Sequence, residues 1–237
     1  EHTAAVMHHE KAYQTTGQLV DQNTHENIIV HEVFHHWFGN LVTAESWSNI
    51  ALNESFATYG EFLWKQYKYG IDDADSHALE SIEKYKTGDY FDAQLVRYNY
   101  THENDVFDAV SYHKGAAVIR MLHQYIGDDA FYAGLKKYLN TYAYASAEVH
   151  QLRLIFEEIT GKDLNWFFNQ WFFNTEHPKI EVSYDYNPLE KTVTVNIIQV
   201  QANTFQFPLA IDIFEKGKRT RHQVFVNGND ASFKFKY

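Results

Sequence analysis

The feature that most constrains this chain is where its prolines fall. Of 237 residues only Pro178, Pro188 and Pro208 are proline, and none precedes position 178. About 12 would be expected at roughly 5% usage. Proline fixes φ and removes an amide donor, so a long stretch without it leaves helices free to run. The apolar spacing and the glycine and aspartate punctuation predict helices over 24–37 (capped by Thr24), 49–68 (stopped by Gly70), 72–85 and 108–126. Further ones follow over 129–142 (capped by Asp128), 146–160 (stopped by Gly161) and, capped by Asp163, a last one carrying Trp166, Phe167, Trp171 and Phe172. Stops at glycine followed by starts at aspartate indicate packed antiparallel helices. Residues 1–24 read as an edge strand or loop.

Past His177-Pro178 the period changes from helical to two. Ile180, Val182, Tyr184 and Tyr186 alternate with polar residues, then Val193, Val195 and Ile197, then Leu209, Ile211 and Ile213. Breaks at Asn187-Pro188, 215–218 and 227–230 separate these runs. The expected fold class is therefore mainly α with a C-terminal β module. A helical domain over 1–176 precedes a β-sandwich-like domain over 177–237, with too few strands for a typical sandwich and so truncated.

Composition removes several function classes. Formal net charge is -11, and the longest basic run, 216–221, is broken by Gly217 and Thr220, so no nucleic-acid partner is expected. No apolar run approaches the roughly 20 residues of a membrane span. Without cysteine, disulfide scaffolds and thiolate metal sites are excluded. The first residue is Glu1 and no leader follows it, so either a leader was removed or the chain is a piece of a longer one. Compartment (cytoplasmic or exported) and oligomeric state stay open.

Seven of the 14 histidines lie in the first 36 residues, and two of them form a pattern with chemical content. His31-Glu32-Val33-Phe34-His35 is an HExxH motif. Residues four apart share a helix face, so His31 and His35 can aim two imidazole nitrogens at one point. Two neutral imidazoles suit zinc, and a catalytic zinc needs a third protein ligand and an open position. Glu32 lies beside that face, within reach of a water. Eighteen residues separate His35 from Glu54, which lies on the next helix, and an antiparallel return would bring its carboxylate to the histidines. Glu61, two turns further along the same face, is a candidate to accept a hydrogen bond from a ligand histidine and fix its tautomer. The alternative makes Glu54 and Glu61 solvated surface acids. His36 points about a quarter-turn away and is expected to pack or face solvent; His8 and His9 lack a carboxylate pattern.

The run HEVFHHWFGNLVTAESWSNIALNESFATYGEFLW resembles the zinc aminopeptidases of the aminopeptidase N family, relatives of leukotriene-A hydrolase. Those proteins carry HExxH, eighteen residues and then Glu in an N-E-G-F-A context. The resemblance continues through VSYHKGAAVIRML and TGKDLNWFFNQWFFNTEHPKIEV and covers nearly the whole chain. It implies a thermolysin-like helical catalytic domain, lacking its N-terminal portion, that passes into part of a β-sandwich, with one zinc per chain held by His31, His35 and Glu54. It also implies Glu32 as the general base and Tyr112 as the donor to the developing oxyanion. Glu1-His2 stands at the last two positions of the family's G-x-M-E-N motif, and the resemblance implies Glu1 as the ligand of the substrate's α-ammonium. Two departures stand out: His2 replaces Asn, and Ser55 replaces the Gly of N-E-G-F-A.

The resemblance thus implies a zinc-dependent aminopeptidase acting on peptides with a free N-terminus. A gluzincin endopeptidase or bifunctional hydrolase is the alternative, as is a non-catalytic peptide-binding relative, which would be expected to have lost Glu32 or a ligand. This chain has lost neither.

Overall fold

The computed structural model describes residues 3–21 and 25–237, so the cap expected at Thr24 and the predicted amine ligand Glu1 lie outside the described residues. The chain divides into two compact units, residues 1–175 and 176–237. The first is helical: α1 (Thr16–Asp21), α2 (Glu26–Phe34), α3 (Ala51–Tyr69), α4 (Ile71–Lys86), α5 (Gly115–Ile126), α6 (Asp128–Thr141), α7 (Val149–Thr160) and α8 (Asn165–Trp171). Among the described residues, no helix is long and apolar enough to cross a membrane.

Helix α3 is the centre of this unit, and ten consecutive residues from Ala51 to Gly60 are buried. Helices α2, α4 and α5 pack against it, which explains why its sequence lacks a clean polar face. Two close approaches set these crossings. A Cβ on Gly60 would lie 2.4 Å from the Phe34 ring of α2, and one on Gly115 would lie 1.9 Å from Ser55 Oγ. Further along, Phe131 and Phe156 stack at 5.7 Å between α6 and α7. The aromatic run of α8 is core, with Phe167, Phe168, Trp171 and Phe172 all buried.

Several local expectations need correction. The segment expected as an edge strand or loop carries, where described, a 3₁₀ turn over Glu10–Ala12 and the short α1, with no strand. Helix α2 stops at Phe34, not near Trp37: the amides of His36 and Trp37 bond three residues back, tightening the last turn. Asp128 does not cap α6, because Gly127 (φ 86°) occupies that position and Asp128 is the first helical residue. The helix expected from 146 begins at Val149. Its start is fixed by a capping box between Glu148 and Gln151 and by Asn49 Oδ1, which accepts the Val149 amide at 3.0 Å. Ala145–Ala147 instead forms strand β2, pairing in parallel with β1 (Val42–Ala44) in register Val42↔Ala145. This pair holds the loop that follows α2 against the body of the unit.

The second unit has five strands: β3 (Ile180–Asn187), β4 (Thr192–Gln199), β5 (Phe207–Glu215), β6 (Lys218–Val226) and β7 (Asp230–Lys236). They form an antiparallel β3-β4-β7 sheet and a β5-β6 hairpin. The hairpin turns on Lys216 (φ 48°) and Gly217 (φ 81°), the two positive φ values a type I′ turn needs. His222 and Phe235, 4.4 Å apart, link the two sheets. Gln199 is buried and ties two connections together by donating to the carbonyls of Phe205 and Gly228, each at 2.8 Å. The alternation read in β3 is present, but the strand is exposed along its length; β4 supplies the buried Val195 and Ile197.

Candidate metal centre and active site

His31 is the one buried residue of α2, and His35 is the residue that closes its last turn. Helix α3 starts at Ala51, so its first turn puts Glu54 opposite both histidines. His31 Nε2 lies 3.1 Å and His35 Nε2 3.4 Å from Glu54 Oε2. These three side chains form the metal-competent His/Asp/Glu group among the described residues, their ligand atoms within 4.8 Å of one another.

The second nitrogen of each ring decides what the first can do. His31 Nδ1 is 3.0 Å from Glu61 Oε1, and His35 Nδ1 is 3.0 Å from the Phe38 carbonyl oxygen. Both partners only accept, so each ring carries its proton on Nδ1 and donates it outward. The Nε2 lone pairs then converge on a carboxylate oxygen, and three acceptors facing each other in a buried space require a cation among them. An N₂O donor set suits zinc, whose tetrahedral bonds of about 2.0–2.2 Å place neighbouring ligand atoms roughly 3.4 Å apart. The residues therefore fit the ion. In the metal-free protein, protonation meets the same demand. Burial opposes charge on His31, but the hydrogen bonds it donates to Glu54 and Glu61 outweigh it and raise its pKa to about 9. Burial likewise opposes the Glu54 carboxylate, yet its hydrogen bonds to His31 and His35 bring it down to about 2.

Glu61 has a second contact that sequence reasoning missed. Its Oε2 lies 3.2 Å from His77 Nε2, and His77 Nδ1 is 3.4 Å from Asn27 Nδ2. A chain of contacts thus runs from α4 through Glu61 to His31. Nothing in the sequence pairs His77 with Glu61, because the two meet only through the packing of α3 against α4.

The three converging groups open onto a cleft of about 810 Å³, also lined by Glu32, Tyr112, Asn40, Glu45, Trp47 and Phe107. Glu32 is half-buried on the cleft side of α2. Tyr112 arrives from the far side of the sequence on a π-helical turn, Val110–Lys114, and its ring lies nearly parallel to that of His31 with centroids 5.8 Å apart. Glu32, Tyr112 and the His31/His35/Glu54 group thus share one cleft, and Glu61 stands behind it. His9 caps the turn at Lys11 instead of meeting a metal.

Comparison with known proteins agrees in one direction. The peptidase family M1 domain matches residues 1–171. Aminopeptidase 2, mitochondrial, of Saccharomyces cerevisiae is 34% identical over 168 residues, 68% of this chain and 17% of its own length. Tricorn protease-interacting factor F2 of Thermoplasma volcanium is 31% identical over 217 residues, 87% of this chain and 27% of its own. Among solved structures, Legionella pneumophila aminopeptidase A in complex with aspartic acid superposes with a TM-score of 0.72 at 22% identity. It covers 89% of this chain and 24% of that one, a likeness of fold. A mutant M1 zinc metallopeptidase from Deinococcus radiodurans, bound to a Tyr-Ser-Ala substrate, gives 0.57 at 27% identity, covering 66% of this chain and 35% of its own. The chain spans 17–27% of the length of these two curated relatives.

Proposed function

Because this chain belongs to peptidase family M1, we propose that it carries the catalytic centre of a zinc-dependent aminopeptidase, with His31, His35 and Glu54 as the metal ligands. The observation that carries this reading is the convergence of two outward-donating histidines on a buried carboxylate, beside Glu32 and Tyr112 in one cleft. When bound, zinc supplies Lewis acidity, polarising a carbonyl and acidifying a water.

The remaining work belongs to side chains of this chain. Glu32 takes a proton from the attacking water and returns it to the departing amine, acid–base help typically worth about 10²–10⁴-fold. Tyr112 donates its hydroxyl toward the carbonyl oxygen as that atom gains negative charge, and such a donor is worth roughly 10²–10³-fold. Glu61 holds the His31 ring in the tautomer that turns Nε2 toward the cleft. Glu1, outside the described residues, pairs with the α-ammonium of the substrate and restricts cleavage to the first peptide bond. Peptides with a free N-terminus are therefore the substrate class.

The test uses the full-length protein with matched free and N-acetylated peptides, with and without a chelator. Chelator-sensitive cleavage of the free peptide alone is expected. Efficient cleavage of the blocked peptide would make the protein an endopeptidase, and absence of stoichiometric zinc would make it a non-catalytic relative. Glu32→Gln is expected to keep its zinc and lose at least about a hundredfold in kcat.

A further inference from the structure

We infer that Arg97 and Ser55 are positioning residues for Tyr112, clamping from two sides the π-helical turn that carries it. This inference rests on the assignment of Tyr112 as the oxyanion donor.

A π-helical turn is rare and is found frequently at functional sites, and contacts from outside the turn hold this one. Here they come from Asp108 first. Its Oδ1 accepts the amides of Val110 (3.0 Å) and Ser111 (3.1 Å), and its carbonyl accepts the Tyr112 amide at 3.2 Å. Arg97 in turn fixes Asp108: Nη1 donates to Oδ2 at 2.5 Å and Nη2 to Oδ1 at 3.0 Å. The same guanidinium reaches Ser111 Oγ at 2.7 Å, the Val106 carbonyl at 3.1 Å and the Asp105 carbonyl at 3.3 Å. Ser111 Oγ, accepting from Arg97, donates its own proton to the Val106 carbonyl at 2.6 Å. This is a planar, multi-donor arrangement that lysine does not reproduce.

Ser55 acts on the opposite side. Its fully buried hydroxyl donates to the Ser111 carbonyl at 2.6 Å. Ser111, the residue before Tyr112, is therefore held by its side chain from Arg97 and by its carbonyl from Ser55. Gly115, which closes the turn, leaves room for that hydroxyl. Arg97 is not among the cleft-lining residues, so its effect on a reaction there passes through the segment it binds, residues 105–112. Misplacement of a reacting group by about 1 Å can cost around 10²-fold.

The experiment is a double-mutant cycle in the full-length protein. Arg97→Lys is expected to lower kcat at least about tenfold with KM within about threefold, and Ser55→Ala to lower it about three- to tenfold. In a Tyr112→Phe background each change is expected to alter kcat less than about twofold, since the hydroxyl they position is gone. Amide exchange over 110–114, read without turnover, is expected to quicken at least about tenfold in Arg97→Lys while that of α6 stays unchanged. Equal losses of kcat in both backgrounds would overturn the inference, as would unchanged exchange over 110–114. If Arg97→Lys does not fold, Ser55→Ala, which removes only one hydroxyl, is taken through the same cycle and judged by the same outcomes. Full activity of Tyr112→Phe alone would instead overturn the oxyanion assignment, leaving the exchange result to judge the clamp.

Discussion

Removing the charge of Glu61 is expected to weaken zinc binding by an amount its contacts allow to be calculated. Its side chain is 16% exposed, with Oε1 3.0 Å from His31 Nδ1 and Oε2 3.2 Å from His77 Nε2. A hydrogen bond to a charged group contributes about 1.5–3 kcal/mol and a neutral one about 0.5–1.5. Glu61→Gln keeps the shape and one acceptor for His31, so it gives up roughly 1–1.5 kcal/mol. At about 1.4 kcal/mol per factor of ten, zinc affinity falls about tenfold. Glu61→Ala also leaves the His31 N–H without an acceptor, a further loss of roughly 1–3 kcal/mol. Thr58 Oγ1, at 3.5 Å, is too distant to replace it. The double loss takes the effect toward the hundredfold end of what outer contacts of metal ligands contribute. The assay is competition for zinc against a chelator of known affinity, with circular dichroism to verify the fold. Glu190→Gln, which breaks an exposed pair with Lys234 in the β module, removes the same charge from the other unit and is expected to leave zinc affinity unchanged. Affinity of Glu61→Ala within about threefold of the parent would refute the reasoning, because the Nδ1–Glu61 bond would then be shown not to set the ligand.

Lys114 is buried at 4% exposure, and burial lowers its pKa to about 8. Between pH 8 and about 10.5 the unfolded chain retains the proton that the folded one has released, so stability is expected to rise with pH across that window, by roughly 3 kcal/mol in all. Thermal midpoints read from about pH 7 to 10.5 test this, and a rise that persists undiminished in Lys114→Met would assign it to another group. Gly60→Ala forces a methyl into the Phe34 ring and is expected to destabilise by about 1–3 kcal/mol. Adding Phe34→Leu should recover part of that loss, and an unaltered midpoint for Gly60→Ala would show that the α2–α3 crossing adjusts freely.

The sequence by itself determined the helical body, the change to strands after Pro178 and the three candidate metal ligands, for one physical reason. Helical periodicity is local, so His31 and His35 must share a face wherever α2 packs, and an antiparallel return is the short route that brings Glu54 back to them. Helix ends were less legible. Whether Asp128 or Gly127 occupies the cap depends on backbone φ, and Ala145–Ala147 becomes a strand only because Val42–Ala44 lies beside it. The tertiary structure alone decided what surrounds the site. His77 reaches Glu61 and Ser55 reaches the Ser111 carbonyl across 56 residues, through the packing of α3 against α4 and against the turn that precedes α5, while Arg97 reaches Asp108 within the connection that leads from α4 into that turn. In a sequence carrying 14 histidines, periodicity singles out the candidate ligands but cannot say which partners hold them. That follows from the packing of three helices around a buried fourth, where side chains far apart in sequence must satisfy one another's polar groups.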